Sequence, residues 1–214
     1  MLSQFRLEGH GVRLEPLTVD HAEGLAKAGA GDRDSYGYTW VPDGTEDARA
    51  YVEQALAARD SGRQVPFAVR DQGRGEIAGS TRFLDLDVFT WPSPWPPGIA
   101  PGPVPSDEQP PTVAEIGSTW YASWAQRTHV NTACKLLLLR HAFEEWRSER
   151  VTLKTDARNA RSRAAIERIG GHFEGIRRVH VPATDGTLRD SAYFSIIAAE
   201  WPTVRERLEQ RLSQ

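Results

Sequence analysis

Between Glu115 and Gly170 a strand, a loop, a helix, a second strand and a second helix follow one another with almost no spare residues. That order leaves few folds open. The run Glu115-Ile-Gly-Ser-Thr-Trp-Tyr121 has a strand pattern, Gln126 to Asn131 is a loop, and Thr132 to Trp146 is a helix with leucines in its middle. Val151 to Thr155 reads as the second strand, and Asn159 to Ile169 as the second helix, closed by Gly170-Gly171. A strand that enters a helix through a short loop leaves backbone N–H groups free at the helix start, which suits an anion, usually a phosphate.

Upstream, Val12, Leu14 and Leu17 suggest a first strand, and Thr18 can cap a helix from Val19 to about Ala28. An aromatic loop, Ser35 to Pro42, precedes a helix opened by Thr45 and ending near Ser61-Gly62. Pro66 to Arg70 and Ile77 to Leu86 read as a hairpin around Asp71 to Gly75. Residues 87 to 113 break the pattern, because nine of the chain's 14 prolines fall between Trp91 and Pro111, and proline removes the donors that a central strand needs. This is a long insertion between two strands, and Trp91 and Trp95 within it offer large apolar faces. Downstream, Phe173 to Val181 and Leu188 to Ile197 form two strands about Asp185-Gly186, and Trp201 to Leu212 is a terminal amphipathic helix.

The 214 residues, 39% of them hydrophobic, support one substantial core, so we expect a single domain over 1–214 with its Pro-rich insertion at about 87–113. A formal charge of −3 and a pI near 6.1 give no electrostatic case for nucleic acid or an anionic membrane. Cys134 is the only cysteine, which excludes an intramolecular disulfide, and it reads as a small buried residue. The charged N-terminus lacks a signal-peptide pattern and no segment approaches the ~20 apolar residues of a membrane span, so a cytoplasmic protein is expected. The six histidines are scattered away from metal-ligand spacing, and no metal is expected. Neither a G-x-S-x-G nor a G-x-x-x-x-G-K-[ST] motif occurs, so hydrolase and nucleoside-triphosphatase readings lack support.

The loop and helix from Gln126 to Leu139 resemble the GNAT N-acetyltransferase superfamily. Gln126 matches its phosphate loop, although His129 and Asn131 stand where that loop has small residues. A branch similar to the ribosomal-protein N-terminal acetyltransferases has a Thr-x-x-Asn loop followed by Lys and a Leu-rich helix, and Thr128, Asn131, Lys135 and Leu136 to Leu139 match it. The run Asn159 to Gly170, Glu174-Gly175, Arg189-Asp190 and Ser195 look like the same branch. The resemblance implies a mixed, mostly antiparallel α/β (α+β) sheet flanked by helices on both faces. It also implies acetyl-CoA as acyl donor, and an amine acceptor that is a small molecule or a protein N-terminus.

Asn is the non-glycine residue most at ease with positive φ, and Asn131 would also cap the helix. Lys135, in the first turn of the expected helix, opposes the macrodipole unless an anion lies nearby, which reads as a phosphate contact or as a merely solvated cation. The resemblance places CoA along Gln126, Arg127, Thr128, His129, Val130, Asn131, Thr132 and Lys135. Its pantetheine arm would run beside Thr119, Trp120 and Tyr121 and near Asn159, for which N-capping is the alternative.

Glu115 is the candidate base, since strand alternation puts it on one face with Gly117, Thr119 and Tyr121; the alternative is an exposed or arginine-paired carboxylate. No Tyr lies between Asn159 and Gly170, so Ser162 remains as proton donor near sulfur, or as a plain first-turn serine. Tyr36, Tyr38, Trp40, Trp91, Trp95 and the hairpin around Arg177, Arg178 and His180 would wall the acceptor groove, in a monomer or homodimer. Two rivals remain: a succinyl-CoA-like donor, which wants an additional cation near the acyl group, and a non-catalytic CoA-binding or partner-docking module.

Overall fold

The computed structural model describes residues 1–91 and 102–214. In chain order the elements are β1 (Leu7–Gly9), β2 (Val12–Pro16), α1 (Ala22–Gly29), α2 (Gly44–Asp60), β3 (Val65–Asp71), β4 (Glu76–Asp87) and β5 (Val113–Tyr121). They continue with α3 (His129–Arg140), β6 (Arg150–Asp156), α4 (Ala160–Arg168), β7 (His172–Pro182), β8 (Leu188–Ile197) and α5 (Trp201–Leu212). The strands form one sheet in the order β1-β2-β3-β4-β5-β6-β8-β7. Among the described residues only β5 and β6 run parallel, so the mixed, mostly antiparallel sheet expected from the sequence is the one observed.

Pairing and side-chain contacts divide the sheet into two faces. Ser80 and Arg82 on β4 meet Tyr51 of α2, so one face carries α1 and α2. Thr81 and Phe83, the alternate residues, point to the other face, where Phe83 packs on His141 and Trp146 beyond α3. Leu136, Leu138 and Leu139 of α3 are fully buried there, and α5 adds Val204 and Leu208. The β1–β2 hairpin was absent from the sequence reading, because a three-residue strand is too short to show a period of two. Beyond β4, the described part of the insertion is tied down: Arg63 donates to the carbonyls of Leu86 and Gly102, and Ser148 Oγ donates to that of Pro111. No helix among the described residues is long and apolar enough to cross a membrane.

The helix expected over Thr132 to Trp146 changes character at its end. From His141 to Glu145 it widens into a π turn, with Trp146 N–H donating to His141 C=O. This carries the His141 ring onto Phe5, with centroids 3.9 Å apart, and beside Phe83 and Trp146. Burial among these rings pushes the imidazole pKa from 6.5 down to about 4. A folded-state value depressed in this way contributes stability that is fully present above the unfolded value of 6.5 and is lost as pH falls toward 4. We predict that the urea midpoint of the wild type falls more steeply between pH 6.5 and 4 than that of His141→Leu. Parallel midpoint curves for the two proteins would refute this.

Candidate active site

Strand β5 leaves the sheet through a 3-10 turn, Ser123–Ala125, and enters α3 at His129. Gln126 fastens the turn by donating to Tyr121 C=O and to Ser35 Oγ, which joins the β5 end to the aromatic loop before α2. Thr128, not Asn131, is the N-cap: its hydroxyl accepts from Val130 N–H and donates to Ala125 C=O. The helix therefore begins three residues before the expected Thr132, and Asn131 and Thr132 lie inside its first two turns. The positive φ falls at Arg127 (+60°), while His129 and Asn131 are helical. The glycines missing at those positions are thus not required by backbone conformation. With Val130 N–H occupied, the N–H groups of His129 and Asn131 remain without an i−4 acceptor and open a site for an anion. His129 also closes over the β1–β2 turn, where a Cβ on Gly11 would sit 3.1 Å from its Nε2.

Lys135 departs from expectation more sharply. It lies in the second turn, 5% exposed, and its Nζ donates to Thr119 Oγ1 at 2.9 Å. The ammonium is therefore turned into the interior, not presented at the loop, and burial pulls its pKa down to about 8.

Strand β5 parts from β6 early. The parallel pairing covers only Val113, Ala114 and Glu115 against Arg150, Val151 and Thr152, and beyond it the two strands are unpaired. On the β4 side, Arg82 pairs with Gly117 and Ser80 with Trp120, so Ser118 and Thr119 together face Thr81 in a bulge. Ser118 takes a φ of +46° there. The extra residue shifts the alternation. Glu115 and Gly117 look toward the α1–α2 face with Trp120, which packs on Tyr36 and Tyr51, whereas Thr119 turns to α3. The expectation that Glu115, Gly117, Thr119 and Tyr121 share a face fails at the bulge. Trp120 and Tyr121 are interior, the Tyr121 hydroxyl lying against the Cys134 thiol, so only their backbone can border a pantetheine arm.

Glu115 is 3% exposed, and its carboxylate pairs with Lys154 at 2.8 Å, a lysine where the sequence had suggested an arginine. Gly117 makes room for it, since a Cβ there would lie 2.7 Å from Glu115 Oε1. Burial raises the Glu115 pKa and Asp85 adds to that, while Lys154 works against both; the net direction is upward. For Lys154, burial opposes the charge, yet Glu115 and Asp85 together outweigh it and keep the ammonium above its ordinary range. Nearby on β8, Tyr193 exchanges a hydrogen bond with His180 Nε2, and His180 Nδ1 meets Ser191 Oγ. Lys154 and Asp85 were missed in the sequence. Pairing Glu115 with Thr152 puts Lys154, two residues on, on the Glu115 face, and that register is a tertiary fact.

Asn159 caps α4, accepting from Ser162 N–H at 2.9 Å, which occupies its carbonyl and leaves its amide NH2 to a ligand. Ser162 is half-buried in that first turn. Tyr36 is not a groove wall: it is 5% exposed, donates to Ala28 C=O and belongs to the core. Tyr38 and Trp40 are surface residues, one stacked under Arg158 and the other on Tyr51. Trp91 is 82% exposed, and Trp95 lies outside the described residues.

An acetyltransferase (GNAT) domain model matches residues 12–172. The chain belongs to the GNAT acetyltransferase family. YdaF of Bacillus subtilis (strain 168), whose name assigns it provisionally to ribosomal N-acetylation, is 36% identical over 88 residues, 41% of this chain and 47% of YdaF. That match spans about half the length of YdaF. A structure from T. thermophilus, provisionally described as an acetyltransferase, is 31% identical with a TM-score of 0.76, covering 99% of this chain and 98% of that one. Mycobacterium smegmatis RimJ, solved with CoA-disulfide, shares the fold at 21% identity and a TM-score of 0.71, covering 97% and 93%. The resemblance carried by Gln126, Thr128, Asn131 and Lys135 to Leu139 is thus borne out, although Lys135 stands in it as an interior residue of the acetyltransferase.

Asn131 tests the anion site, because proline is tolerated in a first helical turn yet removes one N–H. We predict that Asn131→Pro weakens CoA binding about 10- to 100-fold, the worth of a hydrogen bond to a charged group, with little change in melting temperature. Isothermal titration with CoA measures it, and unchanged affinity in a folded variant would remove Asn131 from the site.

Proposed function

We propose that this chain moves an acetyl group from acetyl-CoA to a primary amine by direct attack, both substrates being bound together. The supporting observation is the Glu115 carboxylate, buried over Gly117 on the α1–α2 face at the point where β5 and β6 separate. In this reading the free N–H groups at the start of α3 hold the pyrophosphate, and the Asn159 amide and the unpaired β5 backbone hold the pantetheine. The attacking amine gives its proton to Glu115, directly or through one water. Backbone N–H groups of β5 beyond Glu115 donate to the oxyanion that forms as the N–C bond closes. When the C–S bond breaks, the thiolate takes a proton from Ser162 or from water.

We place the acceptor at the β7–β8 hairpin, where Glu174, Gly175, Ile176, Arg177 and Tyr193 line an open depression. Tyr38, Trp40 and Trp91 offer it exposed aromatic surface. The name of YdaF, which refers to ribosomal N-acetylation, makes an amine of a ribosomal protein, its N-terminus included, the first acceptor to test, ahead of small-molecule amines. A second donor is worth a direct comparison. Arg82 pairs with Gly117 on the α1–α2 face, is 7% exposed and has no partner for its Nε among the described residues, so it is the additional cation that a succinyl group would want. Thiol release from acetyl-CoA and succinyl-CoA, screened across peptide N-termini and amines, discriminates these donors and acceptors, and no release from either would favour a binding module.

Activity needs Glu115 deprotonated, so kcat/KM should rise with pH through its raised pKa. Glu115→Gln is expected to lower kcat by about 10²–10⁴ with CoA affinity intact. Lys154→Met removes the cation that holds the Glu115 pKa down, so the ascending limb of the profile should move to higher pH. A wild-type rate for the first variant, or a profile unmoved or shifted to lower pH for the second, would exclude Glu115 as the base.

A further inference from the structure

Lys135 is a charge in an apolar place. It sits in the run Ala133 to Leu139, all buried, between Cys134 and Leu136 on a helix otherwise committed to the core. No carboxylate pairs with it among the described residues, and its one side-chain partner is Thr119 Oγ1. Isolated buried charges are costly, and an apolar side chain of similar length would fill the space without that cost. Packing alone gives no reason for an ammonium here.

The hydrogen-bond arithmetic around Thr119 supplies one. An ammonium can only donate, so Thr119 Oγ1 must accept from Lys135 at 2.9 Å. Thr81 Oγ1 lies 2.7 Å away, and Gly117 C=O lies 3.3 Å away as an acceptor for the Thr119 hydroxyl. Either hydroxyl of the Thr81–Thr119 pair can donate to the other, and where Thr81 does so the Thr119 proton goes to the Gly117 carbonyl. That bond spans Ser118, the residue held at a φ of +46°, where a serine is strained. The three groups therefore close a clamp on the β5 bulge from the α3 side. Glu115 stands on the opposite face, and the gap between β5 and β6 begins between the two.

We propose that Lys135 is a positioning residue: acting through Thr119, it fixes the Ser118–Thr119 bulge in the shape that turns β5 backbone N–H groups toward the thioester carbonyl. This rests on the acetyl-transfer reading above. Burial lowers the Lys135 pKa, and its one hydrogen-bond partner, a neutral hydroxyl, does not offset that. Cys134 and Tyr121 are the other titratable groups packed beside it, and burial keeps the Cys134 thiol protonated up to about 12.

The test uses Lys135→Met, Thr119→Val and the double variant of the full chain. Four measurements are made: melting temperature, CoA affinity by titration, hydrogen exchange of the peptide covering β5, and steady-state kinetics with acetyl-CoA and whichever amine the screen finds. In Lys135→Met we expect an equal or higher melting temperature, CoA affinity within about twofold and about tenfold faster β5 exchange. We also expect kcat to fall on the order of 10²-fold at unchanged KM for acetyl-CoA, the scale of a misplaced oxyanion donor. Thr119→Val should reproduce this and the double variant should be no worse, because the residues act as one unit. Wild-type exchange and kcat in a folded Lys135→Met would overturn the clamp, as would a lower melting temperature with kcat retained. Weakened CoA binding with kcat retained would return Lys135 to the phosphate. If Lys135→Met does not fold, Thr119→Val decides by the same criteria. Should the wild type acetylate no amine, the acetyl-transfer reading fails while the exchange comparison still decides whether Lys135 holds the bulge.

Discussion

Strands β5 and β6 run parallel but stay paired over only three residue pairs, and every feature of the candidate site is arranged around the place where they part. A parallel ladder that continued would have used the backbone groups of β5 and left no space between the strands. Here β5 leaves β6 after Glu115 and then bulges at Ser118–Thr119 against β4. The bulge costs strain at a serine with positive φ, and the surrounding hydrogen bonds hold it in that shape. An opening in a sheet whose other strands remain paired is a way to place unused backbone donors inside a folded domain.

Two lysines bracket that opening, Lys135 buried and Lys154 partly exposed, and their environments differ in kind. Lys154, on the α1–α2 face, is paired with Glu115 and lies near Asp85, so attraction outweighs burial and its ammonium is stabilised. Lys135, on the α3 face, has a hydroxyl as its partner and no anion among the described residues, so burial wins and its pKa falls to about 8. The same chemical group is thus tuned in opposite directions on the two sides of one strand. Lys154 acts on the charge of the candidate base. Lys135 acts on the shape of the backbone.

How much of this could be read in the sequence follows from the range of each interaction. The order of elements, the terminal helix Trp201–Leu212 and the β3–β4 and β7–β8 hairpins were legible, because periodicity and turn residues are local signals. The sequence also singles out Glu115 on its strand and the loop through Gln126 and Thr128 before the helix, as candidates. The N-cap was misplaced from Thr128 to Asn131, since both are good caps and only the geometry of Ala125 and Val130 chooses between them. Tyr36 was read as a groove wall, but its hydroxyl finds Ala28 C=O and its ring finds Trp120, partners distant in sequence.

The sequence by itself determined the layered α/β sheet, the strand-loop-helix order at its centre, and the family to which the chain belongs. The tertiary structure alone decided which face each site residue occupies. One extra residue at Ser118–Thr119 reverses the alternation of β5, sending Thr119 to Lys135 while Glu115 turns to Lys154. A bulge is set by the register of two strands whose facing residues, Thr81 and Thr119, are distant in the chain, and local patterning carries no record of that register.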